Sequence, residues 1–128
     1  MKRRVLQWIE KAEGQFHAAS CIRRTHKRKS HDHICFWSHE CATCYTKALL
    51  TGADVDFPVR CDLPKVLSKL ERVEPLSLSM SRRLKDLSRY DMSVLYPGRS
   101  GTSKEAAKSF ETCIPYRSLA RASLGLKP

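Results

Sequence analysis

The chain has 128 residues, 41% of them hydrophobic, which is enough for one buried core and few for two. Its 24 Lys and Arg against 13 Asp and Glu leave a formal charge of +11, so either an anionic partner such as RNA, DNA or nucleotide phosphate is expected, or a solvated basic surface. No apolar run approaches the roughly 18 residues of a membrane span, and MKRRVLQWIEKAEG carries charges where a secretory leader is apolar, so a cytoplasmic protein without a membrane partner is expected.

Residues 3–22 place Val5, Ile9, Ala12, Phe16 and Ala19 at helical spacing, with Lys, Glu and Gln opposite, and predict a first amphipathic helix. In residues 22–33, IRRTHKRKSHDH, five basic residues and three histidines leave almost nothing to bury, so an exposed basic loop is expected. Arg23, Arg24, Lys27, Arg28 and Lys29 form the densest positive run in the sequence and are the candidate contacts to a nucleic-acid backbone.

The stretch 33–50, HICFWSHECATCYTKALL, reads as the central helix. At 100° per residue Ile34, Trp37, Cys41, Cys44, Tyr45 and Ala48 share an arc of about 100°, and Gly52 stands where a left-handed cap would end the helix. Cys35, His39, Ala42 and Thr46 make a second face, small enough for close approach by a helix of another chain or of this one. The CxxC at Cys41 and Cys44, with Cys35 and His39 nearby, raises the question of zinc. Helical geometry turns the two pairs to opposite sides, so core packing is expected, with no metal or other cofactor. The six cysteines (Cys21, Cys35, Cys41, Cys44, Cys61 and Cys113) are expected to be reduced thiols.

Asp62 is placed to cap a third helix whose inner face is Leu63, Val66, Leu67, Leu70 and Val73, with Pro64 in its first turn and Pro75 closing it. A fourth helix follows with Leu76, Met80, Leu84, Leu87 and Tyr90, before a loop at SVLYPGRSG. Thr102 and Glu105 have capping-box spacing at the start of a last helix with Ala106, Phe110, Cys113, Ile114 and Leu119 inward and a kink at Pro115. With no strand-like alternation and no repeat, a single all-α domain of four to five helices is expected over 1–128, its tail frayed after residue 124.

Three stretches, in this order, resemble the HEPN family of small helical domains: the central helix with its end KALL at 47–50, FPVRCDLPKVL at 57–67, and LYP at 95–97. The resemblance implies an antiparallel up-and-down bundle that forms homodimers and often accompanies a minimal nucleotidyltransferase, with nucleotide binding in some members and RNA cleavage by toxins of toxin–antitoxin pairs in others. The chain departs from the family pattern at Thr43 and Cys44 (usually Glu-Lys), Cys61 (usually His) and Leu95 (usually Arg). Of the residues that the resemblance would assign to a nucleotide, Lys47, Arg60, Asp62 and Tyr96 remain.

The family's ribonucleases use an Arg and a His with four to six residues between them near the C-terminal end. Here all five histidines (His17, His26, His31, His33 and His39) lie in the first third of the chain, and only Arg28 with His33 and Arg24 with His31 have that spacing. A non-catalytic module that binds a nucleotide or a nucleotidyltransferase is therefore the expected function, ahead of an RNA-binding adaptor using the 22–33 loop and of an RNA-cleaving toxin. No catalytic residue is assigned.

Overall fold

The computed structural model describes residues 1–25 and 30–128. They form five α-helices, α1 (Arg3–Arg24), α2 (His31–Gly52), α3 (Leu63–Glu71), α4 (Leu78–Leu87) and α5 (Ser103–Ser123), with a 3-10 turn at Met92–Leu95 and no strand among the described residues. The all-α expectation holds. The basic segment is shorter than expected, because Arg23 and Arg24 lie in the last turn of α1 and Ser30 caps α2 from His31 onward, its hydroxyl accepting from the His33 backbone N–H at 3.4 Å.

The core is built around α2, which packs against α1, α3, α5 and the 3-10 turn. Its Ile34, Cys41, Tyr45 and Ala48 are buried as the arc requires, but 15 of its 22 residues are buried in all. The second face is therefore not exposed: Cys35, His39, Ala42 and Thr46 are all buried. At Thr46 the cover is α5, whose Tyr116 hydroxyl meets Thr46 Oγ1 at 2.6 Å, while His39 lies in the fields of Asp91 and Asp62, so the face is covered within the chain. The hydroxyls of Thr43 and Thr46 donate back to the carbonyls of His39 and Ala42 at 2.9 and 2.8 Å, which lets polar residues line a buried helix face at small cost.

The caps follow the sequence. Asp62 accepts from the Lys65 N–H at 3.0 Å, Ser77 from Met80, and Thr102 and Glu105 close a reciprocal capping box. Other boundaries shift. Gly52 is the last residue of α2, and the left-handed conformation falls instead on Asp54 (φ 60°), whose carboxylate pairs with Lys2. Val73 lies past the end of α3 and is half exposed, and Tyr90 is buried although it lies beyond α4.

In α5 the inward series runs Ala106, Phe110, Cys113, Tyr116, Ala120, leaving Ile114 off the arc and 44% exposed. The helix continues through Pro115 to Ser123. The tail is tied back: the Leu126 N–H donates to the Arg121 carbonyl at 2.8 Å and Arg121 Nε to the Lys127 carbonyl at 2.7 Å.

All six cysteines are free thiols, five of them buried and Cys21 partly exposed, 3.4 Å from the His17 ring. Burial pushes the Cys35, Cys41 and Cys44 thiols up. A thiol-specific disulfide reagent is expected to titrate Cys21 in the native protein and the remaining five only on unfolding; a second thiol reacting as fast as Cys21 would contradict this packing.

Candidate anion-binding groove

The N-terminal half of α5 lies beside α4, and between them runs a groove of about 390 Å³. Its cationic wall is Arg83 and Arg89 from the α4 side with Lys104 and Lys108 from α5. Helical periodicity sets this up: Leu84 and Leu87 point to the core, which leaves Arg83 on the α5 side of α4, while Lys104 and Lys108 stand one turn apart on α5. Arg83 donates to the Glu111 carbonyl at 3.1 Å, and none of the four cations takes an ion pair among the described residues.

Three acids share the lining, Asp86, Glu105 and Glu111. Glu105 is committed elsewhere: its carboxylate accepts from the Tyr90 hydroxyl at 2.6 Å and from the Thr102 N–H at 3.0 Å. Those bonds, the Tyr90 one foremost, hold its carboxyl below the usual range. Burial, and then the Glu105 carboxylate, push the Tyr90 phenol up to about 12, so it stays protonated and serves as a donor and not as a base. Ser109 lies in the lining almost fully buried, with its hydroxyl unpartnered. Arg99 closes the connecting segment by donating to the Arg89 carbonyl and, at 2.6 Å, to Ser93 Oγ. Four cations without an ion pair, with the Glu105 carboxylate engaged by the Tyr90 hydroxyl, are chemistry for holding an anion. No histidine among the described residues lines this groove.

The other side of the α5 N-terminal half faces a smaller recess of about 160 Å³ that includes Arg23 and His31. The Arg23 guanidinium sits 5.2 Å from the Phe110 ring centroid, while Arg24 donates to Cys21 Sγ at 3.5 Å. Lys27, Arg28 and Lys29 lie outside the described residues.

The four residues that the family resemblance assigns to a nucleotide are otherwise engaged or dispersed. Lys47 is buried, donates to the Val59 carbonyl at 3.0 Å and lies 5.0 Å from the Trp8 ring centroid. Asp62 spends a carboxylate oxygen on the α3 cap. Arg60 is exposed, and Tyr96 is 60% exposed with its hydroxyl directed to Met92 Sδ at 3.6 Å.

The buried imidazole among the described residues, His39, lies in a different environment. His39 Nδ1 has no hydrogen-bond partner, and burial lowers its pKa to about 4, outweighing the fields of Asp91 and Asp62. Glu40 Oε1 lies 3.9 Å away, but burial pushes its carboxyl up in turn, so this contact is not a charged pair near neutrality.

A family model of the HEPN domain matches residues 5–114. The chain belongs to the HEPN family. Comparison with curated proteins and with solved structures returns no match. The matched span runs from α1 into α5 and contains the whole of the α4/α5 groove, so the groove is part of the HEPN domain proper. In this HEPN domain the four groove cations were not legible as a site. They sit on two helices with the spacing of ordinary solvated faces, and Tyr90 reads as a core residue of the fourth helix. No helix among the described residues is long and apolar enough to cross a membrane.

Proposed function

We propose that this HEPN domain is a non-catalytic binding module that holds a nucleotide by its phosphates in the α4/α5 groove. The observation that carries the reading is the set Arg83, Arg89, Lys104 and Lys108, four cations without an ion pair facing one cavity. A volume of about 390 Å³ lies within the range of small-ligand sites. Leu95 cannot supply the bidentate donor that the family's Arg would, and Arg83 on α4 and Arg89 just after it offer guanidinium groups to the groove. A nucleotidyltransferase partner and a homodimeric state belong to the same proposal and rest on the family alone. Arg23 and Arg24, at the end of α1 where the basic segment begins, favour an RNA-binding adaptor as the second reading.

The test is calorimetric titration with ATP, ADP, AMP and GTP at about 0.15 M salt, where long-range attraction is screened, with tripolyphosphate as the control for bare charge. One nucleotide is expected to bind better than tripolyphosphate, and Lys104→Glu with Lys108→Glu to weaken it at least about tenfold, or 1.4 kcal/mol. Arg60→Ala and Tyr96→Phe are expected to leave it unchanged. Loss of binding in those two variants with retention in the double charge reversal would move the site to the residues of the family resemblance. Equal binding of every polyanion would discard nucleotide recognition.

A further inference from the structure

α4 carries a second groove on its other side, against α3, and its chemistry differs. Pro64, Leu67 and Leu78 give this groove of about 400 Å³ an apolar lining, and Arg82 and Lys85 stand on it as cations. Leu78 is 67% exposed, more than any other large apolar residue on an α-helix among the described residues. Capping does not require this. Ser77 supplies the cap, accepting from the Met80 N–H at 3.1 Å, and a polar residue after it would serve the helix equally well. A lone exposed leucine needs no explanation, but one continuous with Pro64 and Leu67 in a concave surface does.

We infer that the α3/α4 groove docks an acidic amphipathic helix of another protein. Length fits: α3 has 9 residues and α4 has 10. At 1.5 Å per residue the groove is about 15 Å long, room for nearly three turns and for apolar anchors at i, i+3 or i+4, and i+7. Charge fits as well. Neither Arg82 nor Lys85 takes an ion pair among the described residues, and Lys65, Lys69 and Arg72 add to the positive charge of the same hairpin. The acid in the lining, Glu71, already accepts from Ser81 Oγ at 3.1 Å.

The same charges argue against a second copy of this chain. A two-fold contact would set Arg82 and Lys85 against their own counterparts, whereas carboxylates flanking a leucine stripe would meet them. A nucleic acid fits poorly too, since the lining has no aromatic ring for a base to stack on. This inference stands apart from the nucleotide reading, because the two grooves lie on opposite sides of α4 and use different residues.

The test uses the full chain and a fluorescein-labelled synthetic helix with Leu at anchor spacing and Glu on its flanks. The controls are a scrambled peptide of the same composition and a version with Lys in place of Glu. The acidic helix is expected to bind in fluorescence anisotropy, its amide-shift footprint confined to α3 and α4, and the scrambled and Lys peptides to bind at least tenfold more weakly. Leu78→Asp, at an exposed position, is expected to weaken binding at least tenfold with an unchanged thermal melt and unchanged nucleotide titration. Arg82→Glu with Lys85→Glu is expected to reverse the preference toward the Lys peptide, which keeps the proposal falsifiable should Leu78→Asp perturb the fold. No binding of the acidic helix, equal binding of all three peptides, or a footprint on α5 would overturn it. So would concentration-dependent dimerisation of the chain abolished by Leu78→Asp, which would make the occupant a second copy.

Discussion

Lowering the pH from 6.5 to 4 is expected to remove about 3 kcal/mol of folding stability through His39 alone, at 1.36 kcal/mol per pKa unit. The imidazole is buried with Nδ1 unpartnered, and its pKa falls from the usual 6.5 to about 4. Between these values the unfolded chain binds a proton that the folded chain refuses, so stability rises with pH through this window and is lost as pH falls through it. Glu40 acts in the opposite sense: its raised carboxyl contributes stability that is lost as pH rises through its folded pKa. Glu13 and Asp91, both lowered, add losses at the acid end, below their unfolded values of 4.5 and 3.8. Urea midpoints at pH 7, 5.5 and 4.5 read the profile, and His39→Leu is expected to flatten it above pH 4.5. An equally steep profile in that variant would place the proton uptake elsewhere.

Glu13→Ala is the second large effect, expected to cost about 2–4 kcal/mol at pH 7 as the breaking of a partly buried, multiply hydrogen-bonded charge. Arg117 forks onto both Glu13 oxygens at 2.7 and 2.6 Å, the Tyr45 hydroxyl donates to it at 2.5 Å, and Arg121 stands 3.5 Å away. One carboxylate from α1 therefore gathers donors from α2 and α5, with the Arg117 guanidinium also 4.6 Å from the Phe16 ring centroid. The hydrogen bond from Arg117, foremost, holds the Glu13 carboxyl below the usual range, and Arg117 itself is pushed up by the same bond. Glu13→Ala leaves the Arg117 guanidinium and the Tyr45 hydroxyl without this acceptor and Arg121 without its counter-charge. In a double-mutant cycle with Arg117→Ala, read by urea melts, the coupling energy is expected to be about 1–2 kcal/mol. Additive losses would show that the pair is not the linkage between α1 and α5.

The residues that mark helix ends were legible because capping is local chemistry: Asp62, Thr102 and Glu105 act on N–H groups two or three residues away. The inward series of α1 followed from spacing alone, and so did that of α3 up to Leu70. The family was legible too, from short stretches in order, and the family match over 5–114 shows it.

Where helical periodicity misled, it did so through surroundings. The pattern gives α2 one apolar arc, yet α3, α5 and the 3-10 turn pack around the rest of the helix, and Cys35, His39, Ala42 and Thr46 are buried as well. Small and weakly polar residues look alike on an exposed face and in a close helix contact, since a threonine hydroxyl can satisfy itself on its own helix. Val73 and Ile114 are apolar and inward by extrapolation, but each lies just outside the arc that a neighbour covers.

The sequence by itself determined that this chain is a basic, all-helical HEPN domain, that Asp62 caps α3 and Thr102 with Glu105 caps α5, and which face of α1 and of α3 as far as Leu70 turns inward, because those properties rest on neighbours within a turn or two. Only the tertiary structure decided that Arg83 and Arg89 share a groove with Lys104 and Lys108, that Lys47 is spent on Val59 and Trp8, and that His39 is held neutral. Each of these depends on the field and the solvent left at a side chain once distant helices have packed around it, a quantity that spacing along one helix does not contain.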